Sequence, residues 1–294
     1  MITTDFEKNS FAFLVSDAFA KRIKKSTAED PLLRQILPSS EELDIVNGFC
    51  DDPLGEQRAK VTPCLLHKYY GRVLLLVTKK CALHCRFCFR KNLRFSITKK
   101  NLQQAFAYIA NDLSINEVIL SGGDPLMLAD QKLKALLQKL AKISHIKRLR
   151  IHTRIPVALP KRITAKLIAM LKSTRFTPMI VIHCNHAQEI DQTVITAINK
   201  LRKAGFTLLN QSVLLHGVND SVAAQVALSE ALGSAGVLPY YLHLLDKVSG
   251  TAHFAVSLPK AKKIYREMQR LLPGFLVPKL AHEKAGAASK IMIG

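Results

Sequence analysis

Arg72-Val73-Leu74-Leu75-Leu76-Val77-Thr78 runs directly into Lys79-Lys80-Cys81-Ala82-Leu83-His84-Cys85-Arg86-Phe87-Cys88-Phe89-Arg90. The first part is a continuous apolar run, the pattern of a strand buried on both faces. The second part is a polar, cysteine-bearing loop leaving that strand's C-terminal end. Further short apolar runs occur at Val118–Leu120, Leu149–Ile151, Met179–Ile182, Leu208–Leu215 and Leu238–Leu245. Between and after them, residues 98–112, 129–142, 160–172, 190–204, 221–234 and 258–272 repeat their apolar positions with helical spacing. Strand–helix units in series imply a parallel sheet with right-handed crossovers. Each unit takes about 30–40 residues, which leaves room for six units and not for the eight of a closed barrel. The expected fold class is α/β, a partial (β/α)6 barrel of the TIM type with its site at the C-terminal ends of the strands.

Outward from this core, residues 1–63 read as an N-terminal helical extension. Phe11, Leu14, Val15, Ala18 and Phe19 have helical spacing within a stretch from Asp5 to Lys25, and Pro31, Pro38 and Pro53 break the rest of the extension into short pieces. Ser39 to Glu42 can cap a short helix before Leu43. Residues 64–280 form the barrel and 281–294 a short C-terminal segment.

Composition narrows the class. Apolar residues are 48% and charged residues 22% of the 294, an ordinary globular balance. No apolar run reaches the ~18 residues of a membrane-spanning helix. Asp5, Glu7 and Lys8 precede the first apolar run, the wrong order for a secretory signal, so a cytoplasmic protein is expected. The net charge of +21 attracts phosphates and nucleic acids at long range. The cations are spread in pairs such as Lys24-Lys25, Lys79-Lys80 and Lys99-Lys100, which reads as solvated surface more than as a nucleic-acid footprint.

The polar residues gather at strand ends. Ser121-Gly122-Gly123-Asp124-Pro125 follows the second strand, and His152-Thr153-Arg154 ends the third. His183-Cys184-Asn185-His186 ends the fourth, Asn210-Gln211-Ser212 lies in the fifth, and Asp246 ends the sixth. Of the six cysteines, Cys81, Cys85 and Cys88 lie within eight residues, a grouping that binds metal more readily than it forms disulfides in an intracellular chain. The spacing C-x3-C-x2-C lets three thiolates hold three irons of a cubane and leave the fourth open. A structural zinc site wants four ligands, and His84 inside the tight loop is a strained fourth. Cys50, Cys64 and Cys184 read as buried small hydrophobes.

With Phe87 before its last cysteine, this motif resembles that of the radical S-adenosylmethionine (SAM) superfamily, and SGGDP (121–125) resembles the superfamily's second signature, a turn that contacts the SAM amino group. Glycines allow close backbone approach there, and Asp124 can accept from an ammonium. RVLLLVT (72–78), RIPVALPKRIT (154–164), HCNHAQEI (183–190) and NQSVLLHGVND (210–220) are similar to the lysine 2,3-aminomutase family over about residue 60 to the end. PYYLHLLDKVSG (239–250) and LVPKL (276–280) look closest to the branch that makes (R)-β-lysine from (S)-α-lysine for attachment to elongation factor P.

The resemblance implies a [4Fe-4S] cluster on Cys81, Cys85 and Cys88, SAM, and pyridoxal 5′-phosphate (PLP) on Lys290. It implies cofactor contacts from Gly122, Gly123, Asp124, Gln211, Arg72 and Lys68. Arg90 would pair with the substrate carboxylate, and Asp246 and Glu283 with its side-chain ammonium. His183 and His186 have no assigned role. Implied partners are L-lysine, the β-lysine ligase of elongation factor P and elongation factor P itself, and a flavodoxin or reductase as electron donor, with no membrane. Zinc-binding cysteines of the free-lysine enzymes are not matched: Ser221 follows Val218-Asn219-Asp220, and no zinc is expected. Read alone, Lys290, Arg90 and Asp246 are ordinary surface or capping residues; the family register lifts them out. The competing readings are a radical SAM enzyme modifying RNA, which would need no PLP, and a non-catalytic iron–sulfur or zinc protein, which would not cleave SAM.

Overall fold

The structure, a computed structural model, describes residues 11–27 and 29–293. Its frame is one ten-stranded sheet in chain order: β1 (Lys60–Thr62), β2 (Leu65–Tyr69), β3 (Arg72–Thr78), β4 (Glu117–Gly122), β5 (Arg148–Thr153), β6 (Met179–Ile182), β7 (Leu208–Val213), β8 (Leu238–His243), β9 (Lys279–His282) and β10 (Ile291–Met292). Strands β3 to β9 are parallel, while β1 and β2 form an antiparallel edge on β3 and β10 an antiparallel edge on β9. The sheet is open, as expected of a partial barrel. The six expected strands are all present. β9 extends the parallel set, and it is short and begins on an exposed lysine, so no apolar run announces it.

The helices are α1 (Asp17–Ala20), α2 (Lys99–Asn111), α3 (Asp130–Ala141), α4 (Ile155–Ala158), α5 (Ala165–Leu171), α6 (Gln192–Lys203), α7 (Val222–Ser234) and α8 (Leu258–Leu271). Thr98, Thr164, Asp191, Ser221 and Ser257 each accept a backbone N–H at the start of α2, α5, α6, α7 and α8. Each of these helices therefore starts where a short polar side chain replaces the missing intrahelical acceptor. None among the described residues is long and apolar enough to cross a membrane.

The helical extension is corrected. The expected helix from Asp5 to Lys25 begins outside the described residues, and within them only α1, capped by Ser16, is α-helical before residue 63. Asp30 explains part of the difference. Its carboxylate accepts from the backbone N–H groups of Lys24, Lys25, Leu32 and Leu33, folding this stretch into turns. The Ser39 capping box does form, on a short 3-10 helix, Ser40–Leu43.

Strand residues divide by face. Leu75, Leu120, Ile151, Ile182 and Leu208 are buried in the main apolar core with α2, α3, α5 and α6. Leu242 and Leu280 meet Ala261, Ile264, Tyr265 and Met268 of α8 in a second cluster. The alternate positions Leu74, His152, Val181, Gln211 and His243 turn into the barrel and line its cavity. This period of two separates the packing residues from the polar ones.

Candidate active site

The cavity is bordered by the cysteine loop, the turn at residues 121–124, the ends of β5 to β8, and the C-terminal segment. Of the residues singled out from the sequence, Cys81, Cys85, Cys88, Arg90, Gly122, Gly123, Asp124, Gln211, Asp246, Glu283 and Lys290 all lie on its wall, as does His183. Arg72 does not: it starts β3 with its guanidinium over the Tyr69 ring, 5.4 Å from the centroid. No carboxylate among the described residues lies within ion-pair distance of it. His186 lies away from the cavity and accepts from the backbone of Gln188.

The cysteine loop has no regular structure and is held from outside. The fully buried Arg86 donates to Glu42, and its backbone N–H donates to Gln35. His84 packs on Phe11 and meets the Ala12 carbonyl at 2.7 Å, so it faces away from the cavity wall. Phe87 stacks on His183 with 5.6 Å between ring centroids. Cys85 Sγ accepts from Arg154 Nη1 at 2.8 Å. Burial, then the neighbouring Cys85, pushes the Cys88 thiol up to about 11 and the Cys81 thiol higher still. Clustered thiols that resist ionisation together suit a cationic partner that takes them as thiolates.

The glycine turn packs directly on the start of the cysteine loop. A Cβ on Gly122, whose φ is +123°, would stand 2.4 Å from the Thr78 carbonyl oxygen, and one on Gly123 would stand 2.4 Å from that of Lys80. Gly123 N–H donates to the Thr78 carbonyl at 2.7 Å, and Asp124 N–H to that of Lys80 at 2.8 Å. The close approach these glycines permit is to the cysteine loop itself. Asp124 is likewise committed to the chain. Its Oδ1 accepts from Leu126 N–H, its Oδ2 from Arg154 N–H, and both face the Thr153 hydroxyl. Burial still moves its pKa up to about 6. Asp124 thus anchors the turn from the cavity wall.

The far side of the cavity is a charge cluster. Lys290 Nζ lies 2.6 Å from Glu283 Oε1, 3.4 Å from His243 Nε2 and 5.2 Å from the Tyr241 ring centroid. Glu283 Oε2 accepts from Lys68 Nζ at 2.9 Å and from the Tyr69 hydroxyl at 3.1 Å. Burial disfavours the Glu283 carboxylate, but Lys290 and Lys68 outweigh it and hold its pKa far below the ordinary range. Burial, then Lys290, takes His243 down to about 3. The Asp246 carboxyl sits on the cavity wall without any hydrogen-bond partner among the described residues; burial and the adjacent Glu283 raise it to about 7. Arg90 spans Glu56 through Nε at 2.8 Å and Nη2 at 2.6 Å, and reaches Ser121 Oγ through Nη1 at 2.9 Å. Glu56 and Tyr69 had no signal in the sequence, since each belongs to no motif in its own segment, and His243 lies within residues 239–250 without being singled out there.

A parallel, open barrel with three thiols on the loop after its first parallel strand and a glycine turn locked against that loop defines a radical SAM enzyme, and residues 75–227 match the radical SAM superfamily model. The chain is 50% identical over 286 residues to the L-lysine 2,3-aminomutase of Escherichia coli K12, spanning 96% of this chain and 83% of that protein. It is 45% identical to the L-lysine 2,3-aminomutase of Haemophilus influenzae, spanning 98% and 88%. SuiB of Streptococcus suis, solved with S-adenosylmethionine bound, shares the fold at a TM-score of 0.53 and 13% identity over 74% of this chain and 51% of that one. This chain belongs to the lysine 2,3-aminomutase family, isomerases of the radical SAM superfamily.

The family's cofactors are a [4Fe-4S] cluster, SAM and PLP, and the donor set fits them. Among the described residues no trio of His, Cys, Asp or Glu closes tightly enough around a single ion. Cys81, Cys85 and Cys88 all border the cavity, where three thiolates can hold three irons of a cubane. His152 Nε2 and His183 Nε2 are buried and unpartnered in the cavity wall, ready for a ligand's polar atoms. Lys290 places an amine on the cavity wall, and Arg72, outside that wall, has no ion pair among the described residues.

Proposed function

We propose that this protein moves the 2-amino group of L-lysine to C3, giving (R)-β-lysine for elongation factor P, in the cytoplasm. One observation carries the substrate reading. A carboxyl without a partner, Asp246, shares its cavity with the guanidinium of Arg90, so the cavity offers receptors for an ammonium and for a carboxylate. Lysine carries both groups.

When bound, the cluster with SAM supplies a hydrogen-abstracting radical, and PLP carries the nitrogen between adjacent carbons. The remaining work belongs to the chain. Cys81, Cys85 and Cys88 would hold the cluster, and Lys290 and Arg72 the PLP. Arg90 takes the lysine carboxylate, while Asp246, helped by Glu283, takes the side-chain ammonium. Fixing both ends of a flexible substrate presents C3 in one place and removes its rotational freedom before reaction. Glu283, 2.6 Å from Lys290 Nζ, and neutral His243, 3.4 Å from it, fix the position of that nitrogen at the cavity wall. A flavodoxin-like or reductase donor would deliver the electron. The resemblance of residues 239–250 and 276–280 to the elongation factor P branch supports the use of the product.

Two measurements test this. Lys290→Ala should keep iron and SAM binding, lose all isomerase activity, and escape the pyridoxyl label that borohydride fixes on the Lys290 peptide of the parent protein. A label on another lysine would overturn the PLP assignment. Chiral chromatography of the β-lysine formed should return the (R) enantiomer; the (S) enantiomer would remove the elongation factor P reading and leave the isomerase reading standing.

A further inference from the structure

Arg90 and Asp246 set a problem. A cation and a carboxyl shielded from water in one cavity attract each other, and an unpaired Asp246 is an available partner for any mobile guanidinium. If the two joined, both receptors would be lost. In the structure they do not join, because Arg90 already holds a carboxylate. Glu56 takes its Nε and Nη2 edge at 2.8 and 2.6 Å.

Glu56 is well placed to be a permanent partner. It is 4% exposed and is not part of the cavity wall, so it backs Arg90 from behind while Arg90 faces the cavity. Its segment is pinned on every side. Asp52 accepts the backbone N–H groups of Glu56 at 2.7 Å and Gln57 at 2.9 Å. Cys50 exchanges backbone hydrogen bonds with Lys247 and Ser249, close to Asp246 in sequence. A Cβ on Gly55 would meet Ala285 of the Lys290 segment at 3.4 Å. One strap, residues 50–57, therefore touches the arginine loop, the Asp246 loop and the lysine segment.

A guanidinium has five N–H groups. Glu56 takes two and Ser121 one, which leaves one on each terminal nitrogen for an incoming carboxylate. The ring of Phe89 lies 4.6 Å from the guanidinium carbon and closes off one face.

We propose that Glu56 is a positioning residue for substrate recognition: it keeps Arg90 apart from Asp246 and aims its free N–H groups at the lysine carboxylate. The proposal rests on the reading of Arg90 as the carboxylate receptor. The test is calorimetric binding of L-lysine and of L-lysinamide, which keeps both amines and lacks the carboxylate charge, to the anaerobic, cofactor-loaded enzyme without reductant. The parent protein should prefer lysine. In Glu56→Gln the preference for lysine over lysinamide should fall about tenfold, with iron content and melting temperature compared alongside. A purely structural role would weaken both ligands equally and leave their ratio alone. Arg90→Gln should lose the same preference. A preserved ratio in Glu56→Gln with a lost one in Arg90→Gln overturns the role of Glu56 and keeps that of Arg90. A preserved ratio in Arg90→Gln overturns both. If Glu56→Gln does not fold, Glu56→Asp decides: one methylene shorter, it cannot span both nitrogens equally, and a full parental ratio there overturns the proposal.

Discussion

Asp246 and Glu283 are two carboxyls in one cavity with opposite proton preferences. Lys290 and Lys68 hold Glu283 ionised, whereas Asp246, shielded from water and beside Glu283, titrates near neutrality at about 7. On the proposed reading, lysine's ammonium is held by the ionised form of Asp246. Below pH 7 the carboxyl is protonated before lysine arrives, so a proton must leave for each lysine bound. The apparent dissociation constant of lysine should therefore climb toward about tenfold per pH unit below pH 7, and level off above it. Asp246→Asn should bind lysine more weakly, by about 1.5–3 kcal/mol, and flatten that pH dependence. Titration calorimetry between about pH 5 and 8.5 reads both; an unchanged slope in the variant would move the ammonium receptor elsewhere. The sign for stability is the opposite. A raised carboxyl favours the folded state at low pH, and this contribution fades as pH rises from the ordinary carboxylate range through 7. Among the site residues, the thiols were legible from spacing alone. Lys290 and Asp246 were legible only through the family register, because a single lysine or aspartate carries no pattern.

The element that joins the two halves of the site is the contact between the end of β4 and the cysteine loop. Gly123 has no alternative there, since a methyl group would press on the backbone of Lys79 and Lys80 rather than on a flexible side chain. Gly123→Ala should push the cysteine loop off its seat while the sheet, held by the pairing of β3 with β4, persists. The expected result is a native far-ultraviolet circular dichroism spectrum with most of the reconstituted iron lost. Full iron content in that variant would show that the loop tolerates the shift. Asp124 belongs to the same element: by gathering Leu126, Thr153 and Arg154 it ties the β4 turn to the end of β5. The motif SGGDP is visible in sequence, but its reason is not. Its glycines read in sequence as room for a ligand, and only the folded chain reveals the backbone that they touch.

Over the whole molecule, the acids and the surplus of cations are distributed differently. Several of the scarce acids, among them Glu56, Glu117, Asp124, Glu189, Asp246 and Glu283, are placed inside, on arginines, lysines or the cavity wall. The exterior is left with much of the surplus that makes the net charge +21. Such a surface repels itself, so raising salt from about 0.05 to 0.5 M, which shortens the screening length several-fold, should raise the melting temperature. A melting temperature that falls with salt would mean that the exterior cations are already compensated by local pairs.

The linear chain determined the barrel, because apolar runs and helical periodicity are local patterns that survive without knowledge of distant neighbours. It determined the cluster loop for the same reason, since three thiols within eight residues act as one unit. The tertiary structure alone decided which residues keep the receptors apart. Glu56 meets Arg90 across 34 positions and Glu283 meets Lys68 across 215, in segments with no shared pattern. Contacts of that range form only when the strap and the C-terminal segment are folded onto the same cavity. Their strength comes from burial, which a sequence does not display.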